Sequence, residues 1–437
     1  NEVKKVFANS IIIHGALAIF LLIGLEVVGV YYVNNILNVD PERLSAANLL
    51  LQFSIVATVL TIISVPYDAL LFAHENMVFI ALINLMDALL KFSIAIVLLY
   101  LGDTSFDKLE VFGFLIMTAA LINRIILQVY VRKKYKEINV GNIFKEYDKS
   151  KIKEQASFAS WNLLGVLGYI ARNNGLALVL NSFMGTRINA SYAIGTQISS
   201  QARFFSNTLF QAVNPQIIKN EGGNNRNSMV RLGLLGSRYG TLLISLCAIP
   251  LIFYIKEILK LWLGEIPEYT AFIATMMLVA VILNQLTSGI ETMVYAIGNI
   301  KMYSIIVSII KVLAIPIALF IFYSGVDHSI QLIFLSLIGI EIATFIYRIL
   351  YAKQKKLLDF STYYRTVISG IIIPLSVYTI INFLVSQYSP SLPLKILGAL
   401  LSVIIYVLLI YFLTLEKGTK ENLTGIFKTI QKKIQKK

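Results

Sequence analysis

The sequence has very little of what builds a disulfide framework or a metal centre. Its 437 residues include one cysteine, Cys247, which lies within an apolar run and is interpreted as a packing residue. The three histidines, His14, His74 and His328, are scattered and lack the spacing of metal ligands. We therefore expect neither a disulfide within the chain nor a cofactor.

Charged residues are scarce as well, at 14% of the chain, whereas 57% is hydrophobic. This balance excludes an ordinary soluble domain. A membrane enzyme would need clustered carboxylates or histidines, usually displayed on a sizeable loop. The predicted outer loops are short, and the one long inner segment has lysines and tyrosines but no clustered acids. We expect no enzyme.

What the chain has instead is a series of long apolar runs. A run of roughly 20 apolar residues matches the length of a helix that crosses the bilayer. Twelve such runs lie near 7–32, 45–66, 78–101, 111–130, 158–181, 189–213, 233–255, 270–296, 303–324, 329–352, 366–386 and 394–414. They predict an all-α polytopic membrane protein with twelve transmembrane helices.

The net charge of +14 follows from the predicted topology. If the odd-numbered spans run outward, 27 of the 38 lysines and arginines fall in inner segments and six in outer segments. This is the positive-inside distribution, and it places both ends of the chain in the cytoplasm. The basic surplus is therefore expected to contact lipid headgroups, not nucleic acid.

Short sequence matches recur roughly 223 residues apart. YYVNNILN (31–38) aligns with FYIKEILK (253–260), DALLFAHEN (68–76) with ETMVYAIGN (291–299), and NRI (123–125) with YRI (347–349). The offset equals six spans, so the two copies have the same orientation. Parallel repeats of this kind are one of the transporter architectures, with the substrate site between the halves.

The repeat predicts the organisation of the chain. The counterpart of 158–222 would precede Asn1, so we expect a further piece of roughly 65 residues with two spans, and about fourteen spans in the intact protein. The basic linker and tail are expected to form amphipathic helices on the lipid surface. The predicted parts are the remainder of an N-terminal lobe (1–131), a cytoplasmic linker (132–157), a C-terminal lobe (158–352), and an additional helix pair with a basic tail (353–437).

Three blocks carry a resemblance to a known family: VPYDALLFAHENMVF (65–79), ILKLWLGEIPEYTAF (258–272) and AIGNIKMYS (296–304). Together they resemble the polysaccharide-biosynthesis flippases, which transport O-antigen and lipid-linked oligosaccharides. That family belongs to the MATE-like superfamily, which also contains multidrug extruders and the lipid II flippase. The resemblance covers roughly residues 1–414, and Asn76 departs from it because the family usually has a basic residue there.

The resemblance implies a MATE-like bundle of two six-helix lobes around a central cavity, lined by the first two helices of each lobe. It implies a transporter that flips a polyprenyl-pyrophosphate-linked oligosaccharide from the cytoplasmic to the outer leaflet by alternating access. The implied setting is the bacterial inner membrane and the assembly of O-antigen, capsule or exopolysaccharide. Membrane lipids and other polysaccharide-assembly proteins are further expected partners. The alternative is a cation-coupled multidrug exporter.

Two neighbouring spans keep arginines within the membrane. Burying an arginine in a bilayer costs roughly 3 kcal/mol or more, so such residues normally face a wet cavity or a partner. The two arginines, Arg172 and Arg203, each lie on a stripe of residues that share one helical face. The first stripe is Trp161, Gly165, Gly168, Arg172 and Gly175, and the second is Ser200, Arg203, Asn207, Gln211 and Asn214. We predict that both stripes face a cavity. The predicted substrate-binding residues are Arg172, Arg203, Asn173, Gln197, Ser200, Asn207 and Gln211.

The expected ligand is anionic, because guanidinium groups stay charged and grip phosphate oxygens in pairs. Counting along each helix places Arg172 nearer the outside and Arg203 nearer the cytoplasm. Two structural alternatives stay open. The glycines of the first stripe can form a close-packing face, and each arginine can pair with an acid such as Glu291.

Other charged residues in the spans are assigned structural or coupling roles. Asp87 and Lys91 lie four apart and are expected to pair, with ion coupling by Asp87 as the alternative. Glu26 is a second candidate for ion coupling. Arg124 and Arg348, equivalent in the repeat, are expected to extend to the interface. The remaining charged residues, Glu291, Lys311 and Glu341, are expected to form pairs between spans.

Overall fold

The computed structural model describes residues 2–35, 43–101, 107–135, 148–389, 391–416 and 420. These residues are almost entirely helical, with no β-strand among them, which confirms the all-α prediction. Most of the predicted linker helix (136–147) and of the predicted tail helix (424–437) lies outside the described residues.

Two compact units divide the chain, at residues 1–160 and 161–437. The core of unit 1 packs Phe7 against Tyr67, Leu71 and Leu127, so that its first, second and fourth spans share one buried cluster. A π-helical turn at Leu25–Gly29 joins the first two helices into one span. Unit 1 contains α1 (Glu2–Gly24), α2 (Val30–Asn35), α3 (Leu44–Ala73), α4 (Met77–Tyr100) and α5 (Lys108–Lys134).

The next helix, α6 (Lys149–Gly222), contains two predicted spans and is interrupted at Gly185. Gly185 has φ 78° and ψ −176°, a backbone conformation that glycine adopts without steric cost. We call residues 149–184 the first arm and residues 186–222 the second arm. Tyr169 and Arg172 of the first arm line one cavity with Thr196 and Arg203 of the second, well away from Gly185, so the arms run antiparallel, side by side.

Unit 2 continues with the helices that surround the two arms. These are α7 (Arg226–Phe253), α8 (Ile255–Leu263), α9 (Thr270–Gln285), α10 (Ser288–Ile297), α11 (Lys301–Val312), α12 (Ala314–Tyr323) and α13 (Ser329–Gln354). Three more helices follow: α14 (Phe360–Tyr363), α15 (Ser369–Tyr388) and α16 (Leu392–Leu409). The helices α14 and α15 together form one span, and α16 forms the next. We call these two spans the final pair.

All twelve predicted spans fall on helices. Ten of the described helices are long and apolar enough to cross a membrane, or eleven if α9 and α10, bent by 45°, form one span. The second arm, which contains the predicted span 189–213, is helical but is not among them. Its polar residues, including Gln197, Arg203 and Gln211, lower its hydropathy.

The predicted repeat is visible in the helix bounds. Shifted by roughly 223 residues, α1–α2, α3, α4 and α5 correspond to α7, α9–α10, α11–α12 and α13. The counterpart of α3 is broken at Leu286–Thr287, whereas α3 itself is continuous. Within the described residues the two arms of α6 have no counterpart in unit 1.

Prolines within the spans leave main-chain carbonyls without a helical donor, and side chains from neighbouring helices replace that donor. Pro250 has no N–H for the carbonyl of Leu246, which accepts from the Tyr378 hydroxyl at 2.9 Å. Pro374 likewise frees the carbonyl of Gly370, which accepts from Thr414 Oγ1 at 2.8 Å. In a bilayer without water, such substitutes are what makes an interior proline tolerable.

Candidate functional site

The two predicted arginines line one cavity in unit 2. Tyr169, Arg172 and Asn173 contribute from the first arm, and Arg203 contributes from the second arm. Residues of α9 and α13 complete the wall, together with Tyr192, Thr196 and Ser199 of the second arm. The cavity has a volume of about 30 Å³, which holds a water molecule but not a diphosphate. A larger ligand therefore requires the helices to move apart.

Arg172 is held by a carboxylate on α13. Its Nη1 donates to Glu341 Oε1 at 2.6 Å, and its Nε donates to Asn173 at 3.3 Å. The guanidinium also lies 5.2 Å from the ring centroid of Tyr169, which adds a cation–π contact. Only 11% of the Arg172 side chain and 1% of the Glu341 side chain are exposed, so this ion pair is buried.

Arg203 differs from Arg172 because it has no carboxylate partner among the described residues. Its Nη1 donates to the amide oxygen of Asn284 at 3.5 Å, a long and uncharged contact. Asn284 in turn donates to Glu341 Oε2 at 2.9 Å. One carboxylate therefore holds Arg172 directly and Arg203 through an amide.

The two arginines lie close together, at slightly different heights along the two arms. The two residues lie 13 and 18 positions from Gly185, a difference of roughly 7.5 Å along antiparallel helices. Both line the same cavity, and Glu341 and Asn284 link them. The predicted difference in depth is therefore small.

A third cation stands beside the arginines without a carboxylate partner in the described part of the chain. The ammonium group of Lys311 lies 5.6 Å from the ring centroid of Tyr169. The same ring thus faces both Lys311 and Arg172. The sequence predicted an ion pair for Lys311, and this prediction is wrong because the nearby acids Glu291 and Glu341 bind arginines instead.

The first predicted stripe is a packing face, apart from Arg172. A Cβ on Gly168 would lie 2.7 Å from the Cβ of Ser308, and one on Gly175 would lie 2.4 Å from Ile315 Cδ1. Small residues here let the first arm approach α11 and α12 closely. The prediction that this whole stripe faces a cavity is therefore wrong, and the close-packing alternative is the observed one.

The second stripe is divided. Arg203 lines the cavity, whereas Ser200, Asn207 and Gln211 are exposed and lie outside it, as does Gln197. Ser200 donates to the carbonyl of Thr196 at 2.7 Å on its own arm. Of the seven predicted binding residues, the cavity thus brings together Arg172, Asn173 and Arg203.

Arg348 and Arg124 do not extend to the interface. Arg348 is fully buried and donates through Nη2 to Glu291 Oε2 at 2.6 Å, through Nε to the Tyr303 hydroxyl at 2.9 Å, and through Nη1 to the Asn284 carbonyl at 3.3 Å. Arg124, only 4% exposed, donates to the carbonyl of Ile63. That prediction is wrong because buried acceptors are within reach of both guanidinium groups.

The predicted ion-coupling residues lie in unit 1, not in the arginine cavity. Asp87 pairs with Lys91 at 2.7 Å, as predicted, and accepts from Asn123 at 2.7 Å. It lines a cavity of about 510 Å³ that Asp68 also lines. Glu26 lies in the π-helical turn and accepts from Gln52 at 2.9 Å.

Sequence reasoning missed Asn284, Thr196 and Ser199. Of the three, Asn284 could have been found from the sequence, because an Asn-Gln dipeptide interrupts the apolar run of α9. Thr196 and Ser199 lie between the residues of the predicted stripe, on a helix whose many polar side chains hide which face matters.

Comparison with known proteins identifies the fold. No protein-family model and no curated protein matches the sequence. A crystal structure of a MATE protein in complex with MaL6 is similar, with a TM-score of 0.69 and 12% identity over 83% of this chain and 80% of that chain. The Vibrio cholerae MATE transporter VcmN in the bent form gives a TM-score of 0.54 and 13% identity over 84% and 86%. The chain is therefore a polytopic membrane protein with a MATE-like fold.

Proposed function

We propose that this chain is a transporter that flips a polyprenyl-pyrophosphate-linked oligosaccharide from the cytoplasmic to the outer leaflet. The observation that carries the proposal is Arg203, a membrane-embedded arginine whose polar partner in the described residues is a neutral amide. The setting would be a bacterial inner membrane, with both ends of the chain cytoplasmic. The product would feed the assembly of O-antigen, capsule or exopolysaccharide.

The charges around the cavity support an anionic ligand. Arg172, Arg203, Lys311 and Arg348 face two carboxylates, and those carboxylates are bound by Arg172 and Arg348. Among the described residues, the charges of Arg203 and Lys311 are thus left without an acidic partner. A binding site complements the charge of its ligand, and a diphosphate would supply the missing negative charges.

The small volume of the cavity fits a transporter that opens and closes around its ligand. The cavity volume of about 30 Å³ corresponds to a closed site. All residues that line the cavity belong to unit 2, so in an alternating-access mechanism the movement of the two halves would have to be coupled to a separation of helices within that unit. The parallel repeat and the MATE-like fold favour this mechanism.

The test is export of the lipid-linked glycan by variants with equal membrane expression. R203Q and R172Q should each abolish export, because Gln keeps a polar side chain but removes the charge. R203K should keep part of it, since Lys holds phosphate as a point charge. The matched control is R187Q, at an exposed arginine beside the turn between the arms. Normal export by both R172Q and R203Q would contradict the proposal.

A cation-coupled multidrug exporter is the second candidate, and the cavity of unit 1 favours it. Asp68 and Asp87 line that cavity of about 510 Å³ together with Lys91 and Arg124, and among the described residues Asp68 has no ion pair or hydrogen bond. An unpaired carboxylate can bind an organic cation. If D68N abolishes extrusion of a fluorescent cation such as ethidium while R203Q does not, the second candidate is the correct one.

A further inference from the structure

Glu341 is a buried carboxylate whose position is defined by the two arginines. It lies on α13 one turn beyond Leu337, which lines the cavity, but Glu341 itself is not part of the lining. Oε1 accepts from Arg172 and Oε2 accepts from Asn284, so both oxygens are occupied. Glu341 is therefore the negative charge of the arginine site in this conformation.

The guanidinium of Arg172 can bind an anion on either of two sides. On one side is Glu341, at 2.6 Å, and on the other is the cavity that Arg172 lines. A guanidinium that grips a ligand phosphate with two parallel hydrogen bonds uses the same N–H groups that a carboxylate uses. The contact with Glu341 uses Nη1, so a diphosphate that binds the Nη1 and Nη2 pair of Arg172 competes with Glu341 for that nitrogen and for the charge of the guanidinium.

The surrounding charges determine what happens to Glu341 when it loses Arg172. The groups that face it are Arg172 on the first arm, Arg203 on the second arm, Lys311 on α11, Arg348 on its own helix, and Asn284 on α9. The other acid, Glu291 on α10, is bound to Arg348. Lys311 and Arg203 have no carboxylate partner in the described residues, so either cation is available to take the place of Arg172.

We propose that Glu341 is an internal anion that competes with the ligand diphosphate for Arg172. This inference rests on the proposed function. It adds that Glu341 keeps the affinity of the site for the diphosphate low enough for the ligand to be released. In the closed, ligand-free site Glu341 holds Arg172. When a diphosphate enters, Arg172 turns to it, and when the ligand leaves, Glu341 recaptures the guanidinium. No covalent step is involved.

The test is the affinity of the purified chain for inorganic pyrophosphate, measured by calorimetry in lipid nanodiscs. E341Q should bind pyrophosphate about tenfold more tightly than the wild type, because the competing charge is gone, a change typical of coupled sites. The Gln amide oxygen can still accept from Asn284, which preserves the local packing. R203Q should abolish binding in both backgrounds.

E291Q is the matched control, because it removes one negative charge from the same cluster without releasing Arg172. If E291Q strengthens binding as much as E341Q, the effect is general electrostatics, and the competition is refuted. Unchanged or weaker binding by E341Q refutes it as well. In both cases the anion site and the proposed function stand, since the wild type still binds through Arg203.

Two further outcomes complete the design. If neither the wild type nor E341Q binds pyrophosphate, the anion site does not exist, and the proposed function fails together with this inference. If E341Q does not yield folded protein, E341D provides the measurement, because its shorter side chain cannot hold Arg172 and Asn284 as closely. E341D should bind pyrophosphate more tightly than the wild type, by a smaller factor, and equal or weaker binding refutes the inference.

Discussion

The hydroxyl of Tyr378 donates to the main-chain carbonyl of Leu246 at 2.9 Å, in the position where the N–H of residue 250 would stand if that residue were not proline. Tyr378 is fully buried, so no water can replace it. A helix defect in α7 is therefore satisfied by a side chain of α15, 132 residues away in sequence.

Removing that hydroxyl should destabilise the protein in a way that a second substitution repairs. Y378F leaves the Leu246 carbonyl unsatisfied, and the expected loss is about 1–3 kcal/mol. P250A restores the N–H, so P250A/Y378F should be more stable than Y378F alone. Thermal unfolding in detergent, followed by size-exclusion chromatography, measures both. If the stability changes of P250A and Y378F simply add in the double variant, this account is contradicted.

The buried pair of Arg348 and Glu291 should be a main determinant of stability in unit 2. R348Q leaves Glu291, the Tyr303 hydroxyl and the Asn284 carbonyl without their donor. Losing one partner of a buried ion pair costs about 3–5 kcal/mol. The melting temperature in detergent should fall sharply for R348Q and not for K353Q, an exposed position on the same helix. Equal melting temperatures would contradict the expectation.

The orientation predicted from the charge distribution can be tested on a C247S background, which contains no cysteine. We expect E265C, in the loop between α8 and α9, to react with an impermeant maleimide added to intact cells. S150C and N224C should react only after the cells are opened. All three positions are exposed, so differences in labelling report topology. Outside labelling of S150C would reverse the orientation.

Ion coupling by Glu26 and Asp87 stays a prediction, and neutral variants test it. In proteoliposomes, E26Q and D87N should each reduce the stimulation of transport by a proton or sodium gradient at least severalfold, because an amide neither exchanges a proton nor neutralises a cation. E265Q, on an exposed loop, is the control. Full gradient dependence in both variants would assign the two acids to structural roles.

Alternating access predicts that the outer ends of the two units change their separation. The label in unit 1 is placed at Tyr100, the last residue of α4, which is 81% exposed. Spin labels at Tyr100 and Arg187 should show a changed distance distribution when the lipid-linked substrate is added. Labels at Arg187 and Lys260, both in unit 2, should not. One fixed distribution for the first pair would argue against the mechanism.

The helices could be predicted from the sequence because the length of an apolar run is a local property. All twelve predicted spans are helical, and the repeat offset corresponds to the helix bounds. The break between α9 and α10 was not predicted, although the run Thr287, Ser288 and Gly289 is typical of a helix interruption, because it lies within a long apolar run.

The partners of the charged residues could be predicted only where they lie on one helix. Asp87 and Lys91, four residues apart, form the expected pair. Arg172 and Glu341 are 169 residues apart, and nothing local indicates which acid reaches which arginine. The glycine stripe around Arg172 fits a packing face and a cavity face equally well, and the contacts of Gly168 with α11 and of Gly175 with α12 decide between them.

The final pair also has a consequence for a chain that is cut short before it. Tyr363, Tyr378 and Tyr406 each donate a hydroxyl to a main-chain carbonyl of α7 or of the α9–α10 break, at 3.0, 2.9 and 3.1 Å. Without the final pair, the carbonyls of Leu242, Leu246 and Leu286 would lose these donors, and Pro250 offers no N–H to the Leu246 carbonyl in their place. A chain truncated before Phe360 should therefore be less stable in the helices that remain, and not only shorter by two spans.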